Sequence, residues 1–282
     1  EIRIRDWSSD VCSSDLCVIM YIPTLTHRSS FSCRMDGIND LQFFTAYDEL
    51  GRIASIVGID HRGHGRGLRP DAAFTLEDCA DDAAAVCNEL GLTNVMAVGY
   101  SMGGPIAMLL ARRHPGLVGG LVLQATAMEW CGTARERATF RISRALGPLT
   151  RHLIRPSTTR LMFARRVTRR HPLRRHLGWM LSEWRRNDPW HMAEAGRAIS
   201  RFDARPWITS LGLPVAVVLT TKDQLVPPRK QRALAEATSA DVIALDGDHF
   251  VNVGKPAEFS AATFVLFARW RSLDQLVESL VD

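Results

Sequence analysis

Three side chains in this chain could carry chemistry together: a serine, an aspartate and a histidine, each set just after a short apolar run. The serine is Ser101, in Gly99-Tyr100-Ser101-Met102-Gly103-Gly104. Before it, Val95-Met96-Ala97-Val98 reads as a buried strand. After it, Pro105-Ile106-Ala107-Met108-Leu109-Leu110-Ala111 reads as a helix ending near His114-Pro115. A chain that reverses from strand to helix at one residue lifts that side chain to the sheet edge and holds its backbone in a sparsely populated region. The flanking glycines remove Cβ atoms that would collide. The following helix aims its first N–H groups and its positive end at the same point, so the Met102 N–H can serve a developing oxyanion. A serine hydroxyl is a poor nucleophile until a base sits beside it. Gly-x-Ser-x-Gly alone arises by chance in roughly one chain in ten of this length, so the partners decide.

Both partners follow strands of their own. Leu213-Pro214-Val215-Ala216-Val217-Val218-Leu219-Thr220 has the composition of a buried parallel strand and leads to Asp223. A helix at about 229–237 follows, then a strand, Val242-Ile243-Ala244-Leu245, which leads to Gly247-Asp248-His249-Phe250. In an open parallel sheet the carboxyl ends of the strands share one edge, and that edge holds the site. Ser101, Asp223 and His249 are therefore expected at one rim. Asp246 and Asp248 are rival carboxylates, read as loop residues beside the histidine.

These motifs, with Asp60-His61-Arg62-Gly63-His64-Gly65-Arg66-Gly67, resemble the α/β-hydrolase fold superfamily, in its group of small esterases, lipases, haloperoxidase-like enzymes and carbon–carbon bond hydrolases. The likeness runs from about Leu41 to Trp270. It implies an α/β architecture: a mostly parallel, doubly wound sheet with a helical lid insertion. The order Ser, Asp, His is the order of that class. The resemblance implies Ser101 as nucleophile, His249 as base and Asp223 as the acid that orients it. The Arg-Gly-His-Gly segment is read as a structural loop. The glycines do not form a phosphate loop, since no Lys-Ser or Lys-Thr follows them.

The start departs from that pattern. No His-Gly precedes Leu41, although the residue after it would give the second oxyanion donor. The apolar run Cys17–Ile22 is the candidate strand, and Met35 is the candidate donor. Residues 1–16 fit no element, and we expect them to be a non-native segment, with the N-terminal strands incomplete. The expected strand order runs from Cys17–Ile22 through Ile53–Ile59, Asn94–Val98 and Leu117–Gln124 to the two later strands. Helices are expected at about 40–50, 76–90, 102–114, 229–237 and 256–271.

At 282 residues the chain suits one α/β domain with an insertion, and 46% hydrophobic content suits a large buried core. The core is expected over 17–127 and 205–282, with the lid over 128–204. The lid segment holds 17 Arg, no Lys and 6 acidic residues, while the whole chain is only +5. The bland reading, a solvated face in an Arg-biased protein, is preferred over a weak contact with an anionic surface. No nucleic-acid motif accompanies the basic charge. Apolar residues of the lid suggest short amphipathic helices, and Trp130, Trp179 and Trp184, with Tyr100 and Phe250, are candidates to line a substrate pocket. The six cysteines have no metal spacing and read as reduced thiols. No apolar run reaches the roughly 18 residues of a membrane span, and reduced thiols make a cytoplasmic location the expectation.

The expected activity is hydrolysis of an ester or thioester with an apolar acyl group, without cofactor or metal. Two alternatives stay open. One is hydrolysis of a carbon–carbon bond by the same three residues. The other is a degenerate, non-catalytic ligand-binding protein.

Overall fold

The computed structural model describes residues 16–21, 55–64, 67–134, 136–138, 140–142 and 189–281. Among the described residues six strands form one sheet: β1 (Leu16–Tyr21), β2 (Ser55–Asp60), β3 (Val95–Tyr100), β4 (Val118–Gln124), β5 (Val215–Thr220) and β6 (Asp241–Leu245). The helices are α1 (Leu76–Glu89), α2 (Gly103–Arg113), α3 (Pro189–Ile199), α4 (Pro228–Ala237), the short α5 (Val251–Gly254) and α6 (Pro256–Val281). The helix expected at 40–50 and the donor candidate Met35 lie outside the described residues. So do Trp179 and Trp184.

The strand order is β2-β1-β3-β4-β5-β6. From β3 to β6 every pairing is parallel. The expected order is corrected at its start: β1 is interior, antiparallel to both β2 and β3, with Cys17 opposite Ile59 on one side and Gly99 on the other. An interior strand is covered on both faces and favours an unbroken apolar run. Cys17-Val18-Ile19-Met20 provides one, whereas β2 carries Ser55 and Asp60 and takes the outer place among the described strands. The reversal puts Tyr21, opposite Ser55, at the sheet edge away from Ser101.

Strand β3 is buried along its whole length because helices cover both faces. Val95 and Ala97 join one apolar cluster with α1, α2 and α4; Met96, Val98 and Tyr100 join the other with Phe259, Ala262, Leu266 and Phe267 of α6. Helix α1 shows why such elements form. Thr75 caps its first turn reciprocally with Asp78, and Leu76, Cys79, Ala80, Ala83, Ala84 and Cys87 repeat at helical spacing on its buried face. Cys79 and Cys87 are free thiols within that face. Among the described residues no helix is long and apolar enough to cross a membrane.

The ends of the segment expected to be a lid meet. Glu129 and Asp203 form an antiparallel bridge, and the Ala204 N–H donates to the Met128 carbonyl at 2.7 Å. The chain thus leaves the core and returns at adjacent points.

Candidate active site

The parallel register brings the carboxyl ends of β3, β5 and β6 to one edge. Ser101 follows β3 directly, with φ of +52°. That left-handed backbone costs about 1–3 kcal/mol for a non-glycine residue, so the surroundings must hold it. The Ser101 N–H donates to the Gln124 carbonyl at 3.0 Å. Its carbonyl accepts from the Gly104 N–H at 3.1 Å and from Thr126 Oγ1 at 2.7 Å. The turn is also sterically closed. A Cβ on Gly99 would lie 2.3 Å from the Gly103 carbonyl oxygen, and one on Gly104 would lie 2.3 Å from Thr126 Oγ1.

His249 Nε2 lies 3.0 Å from Ser101 Oγ, and its Nδ1 lies 2.7 Å from Asp223 Oδ2. The three side chains are nearly buried, with Ser101 and His249 each 8% exposed. The Asp223 loop is tied to the histidine loop by two backbone bonds, Thr221 N–H to Leu245 O at 3.0 Å and Lys222 N–H to Gly247 O at 2.9 Å. Asp223 Oδ1 accepts the N–H groups of Leu225 and Val226, both at 2.9 Å, while Oδ2 accepts Thr220 Oγ1–H at 2.9 Å. A carboxylate held this way keeps one oxygen aimed at the imidazole and favours the tautomer with hydrogen on Nδ1. Nε2 is then free to accept a proton from the serine. The Met102 amide stands at the start of α2, next to Ser101 in the chain, on the helix's positive end.

The rival carboxylates point elsewhere. Asp246 pairs with Lys222 at 2.8 Å on the surface, and Asp248 accepts the Phe250 N–H at 2.9 Å. Tyr100 departs from its expected place in a pocket wall. It is fully buried against Phe259, and its hydroxyl donates to the His249 carbonyl at 2.6 Å. The physical reason is alternation: Ser101 sits at the apex, so the residue before it still belongs to the strand and faces α6. Burial, then the Asp223 and Asp248 carboxylates, push the Tyr100 phenol well up, so it remains a donor. Phe250 is 40% exposed and meets the His249 ring edge-on at 6.0 Å. Trp130 is half-buried and packs on the core cluster shared by α1 and α2.

His61 and His64 are buried at 1% exposure, and His64 Nδ1 lies 2.9 Å from the Arg62 carbonyl oxygen. Arg62 in turn makes a two-pronged pair with Asp82 of α1 at 2.5 and 2.8 Å. The loop after β2 is therefore packed structure. Three supporting residues were not singled out from the sequence: Thr126, Thr220 and Gln231. Thr126 and Thr220 stand at strand ends, where threonine is ordinary. A glutamine on the buried face of α4 is the one signal that the sequence offers. Among the described residues no group of three His, Cys, Asp or Glu side chains is placed to share a metal ion.

Comparison with known proteins bears on the fold that carries this geometry. A profile for the alpha/beta hydrolase fold matches residues 40–256. A protein of Rhizobium rhizogenes, provisionally named carbamate hydrolase RutD, is 30% identical over 224 residues, covering 73% of this chain and 79% of that protein. A protein of the same provisional name from Caulobacter segnis is 40% identical over 70 residues, 24% of this chain and only 26% of its own length. The thermophilic esterase of Thermogutta terrifontis superposes with a TM-score of 0.69 at 22% identity, covering 81% of this chain and 85% of that one. The chain belongs to the alpha/beta hydrolase fold family and is a hydrolase.

Proposed function

We propose that this hydrolase cleaves carboxylic esters or thioesters with an apolar acyl group through an acyl-enzyme on Ser101. One observation carries the reading: the unbroken chain from Ser101 Oγ to His249 Nε2 at 3.0 Å and from His249 Nδ1 to Asp223 at 2.7 Å. Ser101 Oγ attacks the acyl carbon as its proton passes to Nε2. Asp223 holds the imidazole and offsets the charge it gains. The oxyanion of the tetrahedral intermediate takes the Met102 N–H, with Met35 as the proposed second donor. Loss of one such donor costs about 10²–10³ in rate. The C–O or C–S bond then breaks, and the leaving alcohol or thiol takes the proton from Nε2. Water adds to the acyl-enzyme by the same route, giving its proton to Nε2, and Ser101 recovers a proton as the acid departs.

The segment 128–204 is proposed as the lid over this site, a reading supported by the meeting of its two ends at Glu129 and Asp203. Exposed Phe250, beside His249, supports an apolar rim.

Labelling with a fluorophosphonate tests the reading without knowledge of the substrate. Wild type is expected to be modified on Ser101, and Ser101→Ala and His249→Ala are expected to stay unmodified. Folded wild type that resists the reagent would remove the covalent mechanism. A p-nitrophenyl ester series then tests the acyl preference, with kcat/KM expected to rise from acetate to butyrate.

A further inference from the structure

Gln231 lies in the first turns of α4, eight residues beyond Asp223, and is completely buried. Its amide spans the two ends of the loop that carries Asp223. Oε1 accepts the Thr220 N–H at 2.9 Å. Nε2 donates to the Val226 carbonyl at 2.8 Å and to Thr220 Oγ1 at 2.7 Å. A backbone N–H can only donate and a carbonyl can only accept, so these neighbours fix which way the amide points.

That orientation decides the next bond. Thr220 Oγ1 has one hydrogen. It accepts from Gln231, so its own hydrogen is free for Asp223 Oδ2 at 2.9 Å. A direct approach of Gln231 Nε2 to the same oxygen, at 3.4 Å, is longer and secondary. The oxygen Oδ2 is also the one that accepts from His249 Nδ1 at 2.7 Å. A directed series therefore runs from Gln231 through Thr220 to Asp223 and meets the bond from His249. Every donor in it is buried, where each bond is stronger and an unpaired group more costly than in water.

We propose that Gln231 is a positioning residue for the reaction: through Thr220 it fixes the rotation of the Asp223 carboxylate and so the alignment of His249 toward Ser101. The inference rests on the serine-hydrolase reading above. Without the amide, the Thr220 hydroxyl loses its donor and the two ends of the loop are joined only through Asp223 itself. Asp223 then turns about its side-chain bonds, and displacement of a catalytic group by about 1 Å costs up to 100-fold in rate.

The test is a double-mutant cycle on the second-order rate of fluorophosphonate modification, followed by intact mass. Gln231→Met keeps volume and removes the amide. It is expected to slow modification about 10- to 100-fold relative to wild type. In the Asp223→Ala background, the same substitution is expected to change the rate by less than about twofold, because the residue through which it acts is gone. A general loosening of α4 would slow both backgrounds alike. Equal slowing in the two backgrounds, or no slowing in wild type, overturns the proposal. If Gln231→Met does not fold, Thr220→Val in the same two backgrounds takes its place under the same criteria, since it cuts the same series and keeps the strand's branched side chain. An unmodified wild type removes the serine-hydrolase reading and this inference with it. Slowing by Asp223→Ala without slowing by Gln231→Met or Thr220→Val removes this inference alone.

Discussion

At the scale of single residues, the serine turn is governed by what surrounds two glycines. Gly99 faces backbone: an added Cβ would lie 2.3 Å from the Gly103 carbonyl oxygen, and backbone cannot move without reshaping the turn. Gly104 faces a side chain, with the atoms of Thr126 at 2.3 to 2.7 Å. A side chain can yield in part. Gly104→Ala is therefore expected to destabilise by about 1–3 kcal/mol, the usual cost of overpacking, and Gly99→Ala by more. Urea unfolding of the two variants checks the order; equal or reversed losses would show that the backbone contact is not the limiting one. The pattern Gly-x-Ser-x-Gly-Gly made the turn legible in the sequence. Its outer support was not legible, because Thr126 is distant in sequence and meets Ser101 only once β4 lies beside β3.

At the scale of elements, Lys230 joins α4 to the beginning of the proposed lid. Its ammonium lies 3.0 Å from Glu129 and 2.9 Å from Glu136, and the side chain is 8% exposed. Burial works against ionisation of Glu136, but the bonds from Lys230 and Thr133 outweigh it and hold the carboxyl below its ordinary value. Lys230→Met would leave Glu129 without its cation and Glu136 with only the exposed Arg229 at 3.4 Å, and breaking a buried pair in this way costs up to about 3–5 kcal/mol. Denaturant unfolding at neutral pH is expected to report that loss. A depressed carboxyl pKa stabilises the fold above the unfolded value of about 4.3, and this contribution is lost as pH falls through the lower folded value. The difference between Lys230→Met and wild type should therefore shrink in acid. A difference that holds constant down to about pH 3, below that unfolded value, would argue that Lys230 acts through packing alone. The helices α1, α2, α4 and α6 were legible in the sequence, although α6 runs to Val281, past the end expected near 271. The place of β1 was not: an apolar run fits an interior strand in either direction, and only pairing with β2 and β3 selects one.

For the whole molecule, the buried histidines of the β2 loop are expected to contribute to the response to acid. Burial first, and the neighbouring His64 next, push His61 down to about 3. Burial also holds His64 below its ordinary value, against the bond to the Arg62 carbonyl that favours its charged form. The unfolded chain takes up these protons near about pH 6.5, whereas the folded chain resists them. The stability contributed by the neutral rings is thus complete above that pH and is lost as pH falls toward the folded value. The thermal midpoint is expected to drop between about pH 7 and about pH 5, and His61→Gln to flatten the drop. An unchanged midpoint for wild type over that range would sink this account.

The sequence by itself determined the chemistry available and its order along the chain: a serine, an aspartate and a histidine, each behind a strand, because short apolar runs, glycines and turn residues act locally. Tertiary structure decided which of the acidic residues near the histidine reaches it, that Tyr100 supports the His249 carbonyl from below, and that Gln231 and Thr220 brace Asp223. Those outcomes depend on distance and direction between residues far apart in the chain, and such quantities exist only after the sheet has assembled and its helices have packed upon it.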